Sequence, residues 1–498
     1  MAEIALTDRL LRSWVRCRRR AWLDRHGPAE QRQWNAHRAL ALQEQVQSFQ
    51  ALSHSRPHHG LAACAAGADA VVGLRLKGAG PAGLRLEAHP PLLQRTKGQS
   101  GWGPWTYRPV LARQGYRTTR EHRLQLALWG RLLAPLQQAE VGDGLVVAGG
   151  PRLQQERVSL GGGLQRQLDE SLQRLASDLA SLQPPPLVSD RKKCTLCSWR
   201  VLCDQEAAAE GHLSEVSGIG GKRRDLLLSV GIASLAELAR CDPEQLAVQL
   251  EQVDPQHGKQ HAGIAAELVA QARVQAAGLP ERLEPGPALP ELETVPGLLL
   301  YDIESDPDAR DDFLHGFVVV RRQADGTWPQ SLAAAPYKPL LALQEHGEVR
   351  LWQRLQTLLA AYPGWPVLHY GETESLALVR LAQRQGAPEA QVAALRQRCL
   401  DIHARLRRCW RLPVGSYGLK ATASWLGFAW SQSRVDGARC LLWWRQWRQW
   451  HLDPGPRGRS CRRHLQQIFA YNRDDSLASW TVAFWLLAPG TTPDQDRR

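Results

Sequence analysis

No stretch of the 498 residues strings together the about 18–20 apolar positions that a helix needs to span a bilayer, which excludes a helical membrane protein. The first residues, MAEIALTDRLLRSWVRCRRR, lack the basic, apolar and small-residue order of a secretory signal; they read as an amphipathic helix opened by Thr7 and Asp8. The expected location is the cytoplasm, with no membrane partner. A disulfide framework is out of place there, although ten cysteines are present. Six of them (Cys64, Cys241, Cys399, Cys409, Cys440 and Cys461) are scattered and read as small buried hydrophobes. Acidic residues are also short. The chain has 49 Asp and Glu against 62 Lys and Arg, a net charge of +13, and this favours a polyanionic partner, nucleic acid before an anionic membrane. The length admits roughly two to four domains.

Within these bounds the chemistry concentrates on Leu298-Leu299-Leu300-Tyr301-Asp302-Ile303-Glu304. Four mostly apolar residues run into two carboxylates at i and i+2. On a strand Asp302 and Glu304 share one face, while Tyr301 and Ile303 share the other. Like charges side by side repel, and bringing them near a core costs free energy. A bound divalent cation offsets both penalties. The spacing points to half of a metal site for phosphodiester chemistry.

Pro280, Pro285, Pro287, Pro290 and Pro296 exclude a regular helix or central strand from residues 279–297, which read as a linker. Residues 1–208 precede it as a mixed α/β domain and 209–278 as a helical region; 298–498 follow as a second α/β domain. In the first domain, Val71 to Val110 predicts strands and turns. Helices are expected over Thr119–Leu136 and Leu164–Leu182, the second ending before Pro184-Pro185-Pro186. Cys194, Cys197 and Cys203 then form a C-x2-C-x5-C group. Thiolates this close can share one metal or cluster, and three local ligands call for a fourth. Cys17, beside Arg18, Arg19 and Arg20, is the candidate. Ligand count leaves iron–sulfur, zinc and plain core cysteines open.

Cys17 within Cys17-Arg18-Arg19-Arg20-Ala21-Trp22-Leu23-Asp24-Arg25-His26-Gly27, with the distant three-cysteine group, resembles the iron–sulfur form of the RecB-like PD-(D/E)XK nucleases. The resemblance implies a restriction-endonuclease-type α/β fold. It also implies a [4Fe–4S] cluster on Cys17, Cys194, Cys197 and Cys203, with Zn²⁺ as the alternative. That family needs an acidic residue, a D/E-x-K pair and often a glutamine on the next helix. Here Pro91 stands at the acidic position in Glu87-Ala88-His89-Pro90-Pro91-Leu92-Leu93. Tyr107-Arg108-Pro109-Val110-Leu111-Ala112-Arg113 holds no carboxylate, and Gln125 matches the glutamine. Without the carboxylates there is no evident Mg²⁺ site. The first domain is expected to have lost its own chemistry and to bind nucleic acid.

Val216-Ser217-Gly218-Ile219-Gly220-Gly221-Lys222-Arg223-Arg224 resembles a helix-hairpin-helix motif, a plain helix connection being the competing reading. Gly218 and Gly220 would let the backbone turn tightly. Free N–H groups at the next helix start would meet a phosphate, and Lys222, Arg223 and Arg224 add positive charge. Such binding is independent of sequence and sensitive to salt.

Beyond the linker, strands are expected at 298–304, Phe317–Arg322 and, past the Asp325-Gly326 turn, Ser331–Ala335. A helix over Val349–Ala361, a strand at Pro366–His369 and helices over Glu372–Gln385 and His464–Leu487 complete an RNase H-like mixed sheet. Three motifs resemble the DEDD exonuclease superfamily in order. They are Asp302-Ile303-Glu304; His369-Tyr370-Gly371-Glu372-Thr373-Glu374, with Glu374 in place of the usual Asp; and Tyr471-Asn472-Arg473-Asp474-Asp475, with Tyr-x3-Asp spacing. Ser416-Tyr417-Gly418-Leu419-Lys420 and Trp425-Leu426-Gly427-Phe428 resemble a connecting segment of predicted RNase H-like nucleases that occur fused to RecB-like domains.

The resemblance implies that Asp302, Glu304, Glu374 and Asp475 hold Mg²⁺ or Mn²⁺ and that Tyr471 positions the nucleophilic water. Glu372 competes with Glu374, and Asp474 with Asp475. Asp401, His369 and His403 read as structural, and Trp443, Trp444, Trp447 and Trp450 as a core stripe. Arg405, Arg407, Arg408 and Arg411 are candidates for backbone contacts. The expected function is a metal-dependent nuclease, a 3′–5′ exonuclease on DNA or RNA. The alternative is a non-catalytic nucleic-acid-binding scaffold with a structural iron–sulfur or zinc site.

Overall fold

Thr7 opens the first helix, its hydroxyl accepting the Leu10 N–H at 3.1 Å, and Asp8 lies in the first turn, where a negative charge is favoured. The helix does not run on through the arginines. α1 (Asp8–Arg16) stops at Cys17, whose backbone is extended (φ −163°, ψ 120°), and the Cys17 sulfur accepts the Arg20 N–H at the start of α2 (Arg18–His26). The break turns the thiol out of the helix.

This computed structural model describes residues 5–53, 56–113, 115, 117–149, 152–188, 191–307, 311–343 and 347–487. They fall into two units, Met1–Glu206 and Ala207–Arg498. The first unit is built on a six-stranded sheet. Its centre is β1 (Leu92–Ser100), antiparallel to β2 (Gly103–Ala112), which runs parallel to β3 (Asp143–Ala148). Alternation sends Leu93, Leu111 and Val146 to one face. There they meet α3 (Arg120–Gln137) and α4 (Gly162–Ala180) through Leu124, Leu128, Leu168 and Leu172. Leu92, Val110 and Val147 take the other face, against Phe49 and Leu52 of the helix Ala36–Leu52. The unit is thus mixed α/β.

The second unit opens with short helices, among them α5 (Gly221–Ser229) and α6 (Ala265–Ala277), around Val216, Ile219, Leu227, Leu238 and Leu268. The Pro-rich segment is not an open connector. Glu281–Arg282 pairs with Trp410–Arg411, and Ala288, Leu289 and Leu292 are buried in the C-terminal core. Proline excludes helix and central strand, as expected, but does not stop apolar side chains from packing along a sheet. α6 joins the same body: Gln271 donates to the Leu412 carbonyl at 2.9 Å.

The C-terminal sheet is ordered β6 (Tyr337–Leu341), β5 (Asp311–Arg321), β4 (Gly297–Asp306), β7 (Val367–His369) and β8 (Cys399–Asp401). The pairings of β4 with β5 and β5 with β6 are antiparallel; those of β4 with β7 and β7 with β8 are parallel. The third strand lies beyond the expected Ser331–Ala335, which forms a turn closed by Ala335 N–H on the Leu332 carbonyl. Alanine has little to offer a pleated surface, whereas Tyr337 and Leu340 pack on it. Leu298 and Leu300 face α9 (Pro456–Leu487), which follows α8 (Gly437–Trp450), through Trp480 and Val482. Leu299 and Tyr301 face the helix Gly347–Ala360 and α7 (Glu372–Arg384). No helix among the described residues is long and apolar enough to cross a membrane.

Candidate metal centre

Following one face of β4 explains the site. Leu298 and Leu300 bury under α9, and two residues on the same face turns acidic at Asp302 and then Glu304. α9 supplies the third carboxylate. Ligand oxygens of Asp302, Glu304 and Asp475 all lie within 4.8 Å of one another. Glu304 is buried and the other two are partly buried. Burial first, then the Asp475 charge, holds the Asp302 and Glu304 carboxyls well above the usual range. Burial pushes Asp475 up to about 6, against the opposing pull of hydrogen bonds from Trp430 and Tyr471 and of the Lys420 charge. Three acids that resist ionising together are the donor set that a divalent cation stabilises.

Polar neighbours fix each acid. Asn472 Nδ2 donates to Asp302 Oδ2 at 2.6 Å, and the Tyr337 hydroxyl holds Asn472 Oδ1 at 2.8 Å. Trp430 Nε1 donates to Asp475 Oδ1 at 2.6 Å. Gly316 sits opposite Asp302 in the β4–β5 register, and a Cβ there would fall 1.7 Å from Asn472 Oδ1. Gly316→Ala should therefore displace Asn472 and release Asp302. The expected cost is about 1–3 kcal/mol of stability from overpacking and about a hundredfold in turnover from a misplaced ligand. Thermal melts and single-turnover rates check both; unchanged turnover would show that Asn472 does not orient Asp302.

Glu374 is at the start of α7 but outside the three-carboxylate group. It lies within electrostatic reach of Asp302 and Asp475, burial raises it to about 7, and its Oε2 is buried without a hydrogen-bond partner. An orphaned acceptor beside three crowded acids fits a further ligand. Its competitor Glu372 is exposed. Asp474 accepts from Ser431 N and Oγ at 2.8 and 2.6 Å, which engages it away from Asp475. Tyr471, one turn before Asp475, bonds to it and has its own hydroxyl pKa raised by burial. Asp401 caps a helix through His403 N–H at 2.9 Å and accepts the Gly371 N–H at 3.0 Å. Buried His369 rests on the Gly371 carbonyl.

Residues 299–487 match the family model of the RNase_H superfamily. The C-terminal part of the chain is an RNase H superfamily domain. Residues 205–278 match a model described only as a domain of unknown function, DUF4332. No curated protein matches the chain. The RNase H match suggests nuclease-type activity and a nucleic-acid substrate, and that fold typically works with divalent metals.

Around the RNase H domain's site, sequence reasoning missed four residues. Asn472 and Lys420 stand inside the Tyr471–Asp475 and Ser416–Lys420 motifs but are not their signature positions; Trp430 and Tyr337 carry no local signal. Lys420 Nζ lies 5.0 Å from the Tyr471 ring centroid, and its charge acts on Glu304 and Asp475. The arginine group is not free to grip a backbone: Arg405 pairs with Glu291, Arg408 with Glu284, and Arg411 with Glu267 and Glu281. Arg407 stacks on Tyr417. Of the tryptophans, Trp444 is buried against Phe313 and Trp447, while Trp443, Trp447 and Trp450 are only partly covered.

In the DUF4332 region Gly218 adopts φ +91°, which favours glycine, and Gly220 caps α5. Lys222 is exposed in the first turn; Arg223 folds back to the Gly218 carbonyl at 2.6 Å, and Arg224 is partly buried.

In the first unit the four cysteines converge. The Cys194 thiol is raised to about 11 by burial and by the charges of Cys17, Cys197 and Cys203. Cys17 and Cys203 are raised too, again by burial first. No three of the four sulfurs join a group within 4.8 Å.

Proposed function

We propose that the chain is a metal-dependent nuclease whose chemistry lies in the RNase H domain, acting as a 3′–5′ exonuclease. The observation that carries this reading is the convergence of Asp302, Glu304 and Asp475 within 4.8 Å, with the orphaned Glu374 oxygen nearby. These four residues would hold Mg²⁺ or Mn²⁺. A divalent pair bound there supplies an activated water and neutralises charge on the leaving oxygen. The protein's own groups do the rest. Asn472 and Trp430 hold the carboxylates of Asp302 and Asp475 in place. The Tyr471 hydroxyl is positioned to orient the attacking water, and Lys420 places a cation beside the acids for the incoming phosphate. The 3′ polarity rests on the order of the three motifs and on the Tyr-x3-Asp spacing.

The remaining parts are proposed as substrate grip. The hairpin around Gly218 and Gly220, with Lys222, Arg223 and Arg224, would offer N–H groups and charge to a backbone. Residues 1–208 would be a RecB-like domain without catalytic carboxylates, closed by a [4Fe–4S] cluster on Cys17, Cys194, Cys197 and Cys203. The test is a panel of end-labelled linear and circular DNA and RNA with Mg²⁺ or Mn²⁺. Linear substrates should shorten from the 3′ end and circles should survive. Cut circles would make it an endonuclease; no shortening with either metal would leave a binding protein.

A further inference from the structure

The first unit contains a cleft of about 310 Å³ that the proposed chemistry does not use. Pro91, Leu111 and Gln125, one from each of the three segments that resemble the RecB-like motifs, line it together. Arg9, Arg12 and Arg16 enter from α1 at i, i+3 and i+7, hence from one helical face, and Arg38 enters from the helix Ala36–Leu52. At 1.5 Å per residue the α1 row extends about 10 Å.

Two carboxylates reach this cleft, and both are engaged. Asp8 is buried; its Oδ2 accepts Trp129 Nε1 at 2.9 Å and His89 N–H at 3.1 Å. Glu121 serves two arginines at once, Arg12 at 2.8 Å and Arg16 at 2.5 Å. Arg9 and Arg38 are exposed and have no acidic partner among the described residues. Four guanidiniums against two acids leave a net charge of +2 in a concave, donor-rich wall. Repulsion also shows in the lowering of Arg12, for which burial is the first cause and the Arg16 charge the next. With its acids engaged, the cleft offers a phosphate donors and no free carboxylate for a metal.

We infer that the Arg9–Arg12–Arg16–Arg38 cleft binds consecutive phosphates of a nucleic-acid strand. A row of guanidiniums along a helix suits a linear polyanion better than a single small anion, and guanidinium matches phosphate in geometry as well as charge. The choice of nucleic acid rests on the reading of the RNase H domain; the phosphate chemistry does not.

The test uses the full chain carrying Asp302→Asn and Asp475→Asn, so that strand cleavage plays no part. Fluorescence anisotropy with a labelled single-stranded oligonucleotide is followed against salt, with and without Arg9→Ala plus Arg38→Ala. The arginine variant should bind about tenfold more weakly at physiological salt, and its log–log salt slope should fall by about 1.4, near 0.7 for each lost phosphate contact. Both side chains are exposed, so the melting temperature should match the parent; Arg9→Gln with Arg38→Gln replaces the alanines if it does not. Unchanged affinity and slope would overturn the inference. So would a melting shift with inorganic phosphate that disappears in the variant while oligonucleotide binding stays the same, which marks a site for free phosphate. If the wild-type chain proves to cut nothing, the nuclease reading fails while this binding result stands.

Discussion

Asp302→Asn is expected to stop cleavage and, in the same protein, to raise the melting temperature of the metal-free form. The two effects have one cause. Asp302, Glu304 and Asp475 hold three acidic groups within 4.8 Å in a partly buried site, an arrangement that opposes folding until a cation enters. Asparagine keeps the shape and retains an oxygen to accept the 2.6 Å bond from Asn472, so the local packing survives. It removes one negative charge from the ligand set, and turnover should drop by about a thousandfold or more. Stability should move the other way, with about 2–4 °C gained for each kcal/mol of repulsion removed, as is common when a functional site carries unfavourable charge. Mn²⁺ should raise the melting temperature of the wild type and leave the variant nearly unmoved. Asp474→Asn is the contrast: Asp474 bonds to Ser431, and its loss should leave turnover within a few-fold. If Asp302→Asn cut at the wild-type rate, the cluster would not be the catalytic site. If it melted earlier in the absence of metal, the repulsion would not govern local stability.

The strand that anchors this argument was readable because two signals coincide in it. A run of apolar residues gives the half of β4 that packs in the core, and an abrupt i, i+2 pair of acids gives the half that carries the site. Asp475 was readable because Tyr471 stands one helical turn before it. What could not be read depends on register or on distant charge. Gly316 is informative only once it lies opposite Asp302 beneath Asn472, and that pairing joins two strands. Arg405, Arg408 and Arg411 looked like a free basic group because their partners Glu291, Glu284, Glu281 and Glu267 lie more than a hundred residues earlier. The same partners show why the Pro-rich segment packs: Glu281, Glu284 and Glu291 tie it to these arginines, while Leu289 and Leu292 bury beneath. The break between α1 and α2 was hidden too, since the helical spacing of Leu10, Leu11 and Trp14 continues smoothly to Cys17.

That break sets up the second large effect. Cys17 lies in extended backbone between two helices and meets Cys194, Cys197 and Cys203 from the far end of the first unit. A cluster bound by all four would close a loop from residue 17 to residue 194, which is 194 − 17 = 177 residues. For a cross-link of that span, loop-closure entropy is worth up to about 5 kcal/mol. The folded sheet already brings these ends near, so the figure bounds the gain from above. If the four cysteines hold the proposed cluster, the anaerobically purified wild type should contain iron and sulfide and absorb visible light, and Cys17→Ser should lose all three. The first unit should then melt well before the second, so that limited proteolysis releases a fragment beginning near Ala207 with the RNase H domain intact. Cys64→Ser provides the control, because Cys64 is buried among Val71, Tyr107 and Leu111, outside the group of four. Retention of iron and of the wild-type melting profile in Cys17→Ser would remove Cys17 from the ligand set. One equivalent of zinc and no iron in the wild type would replace the cluster with a structural zinc.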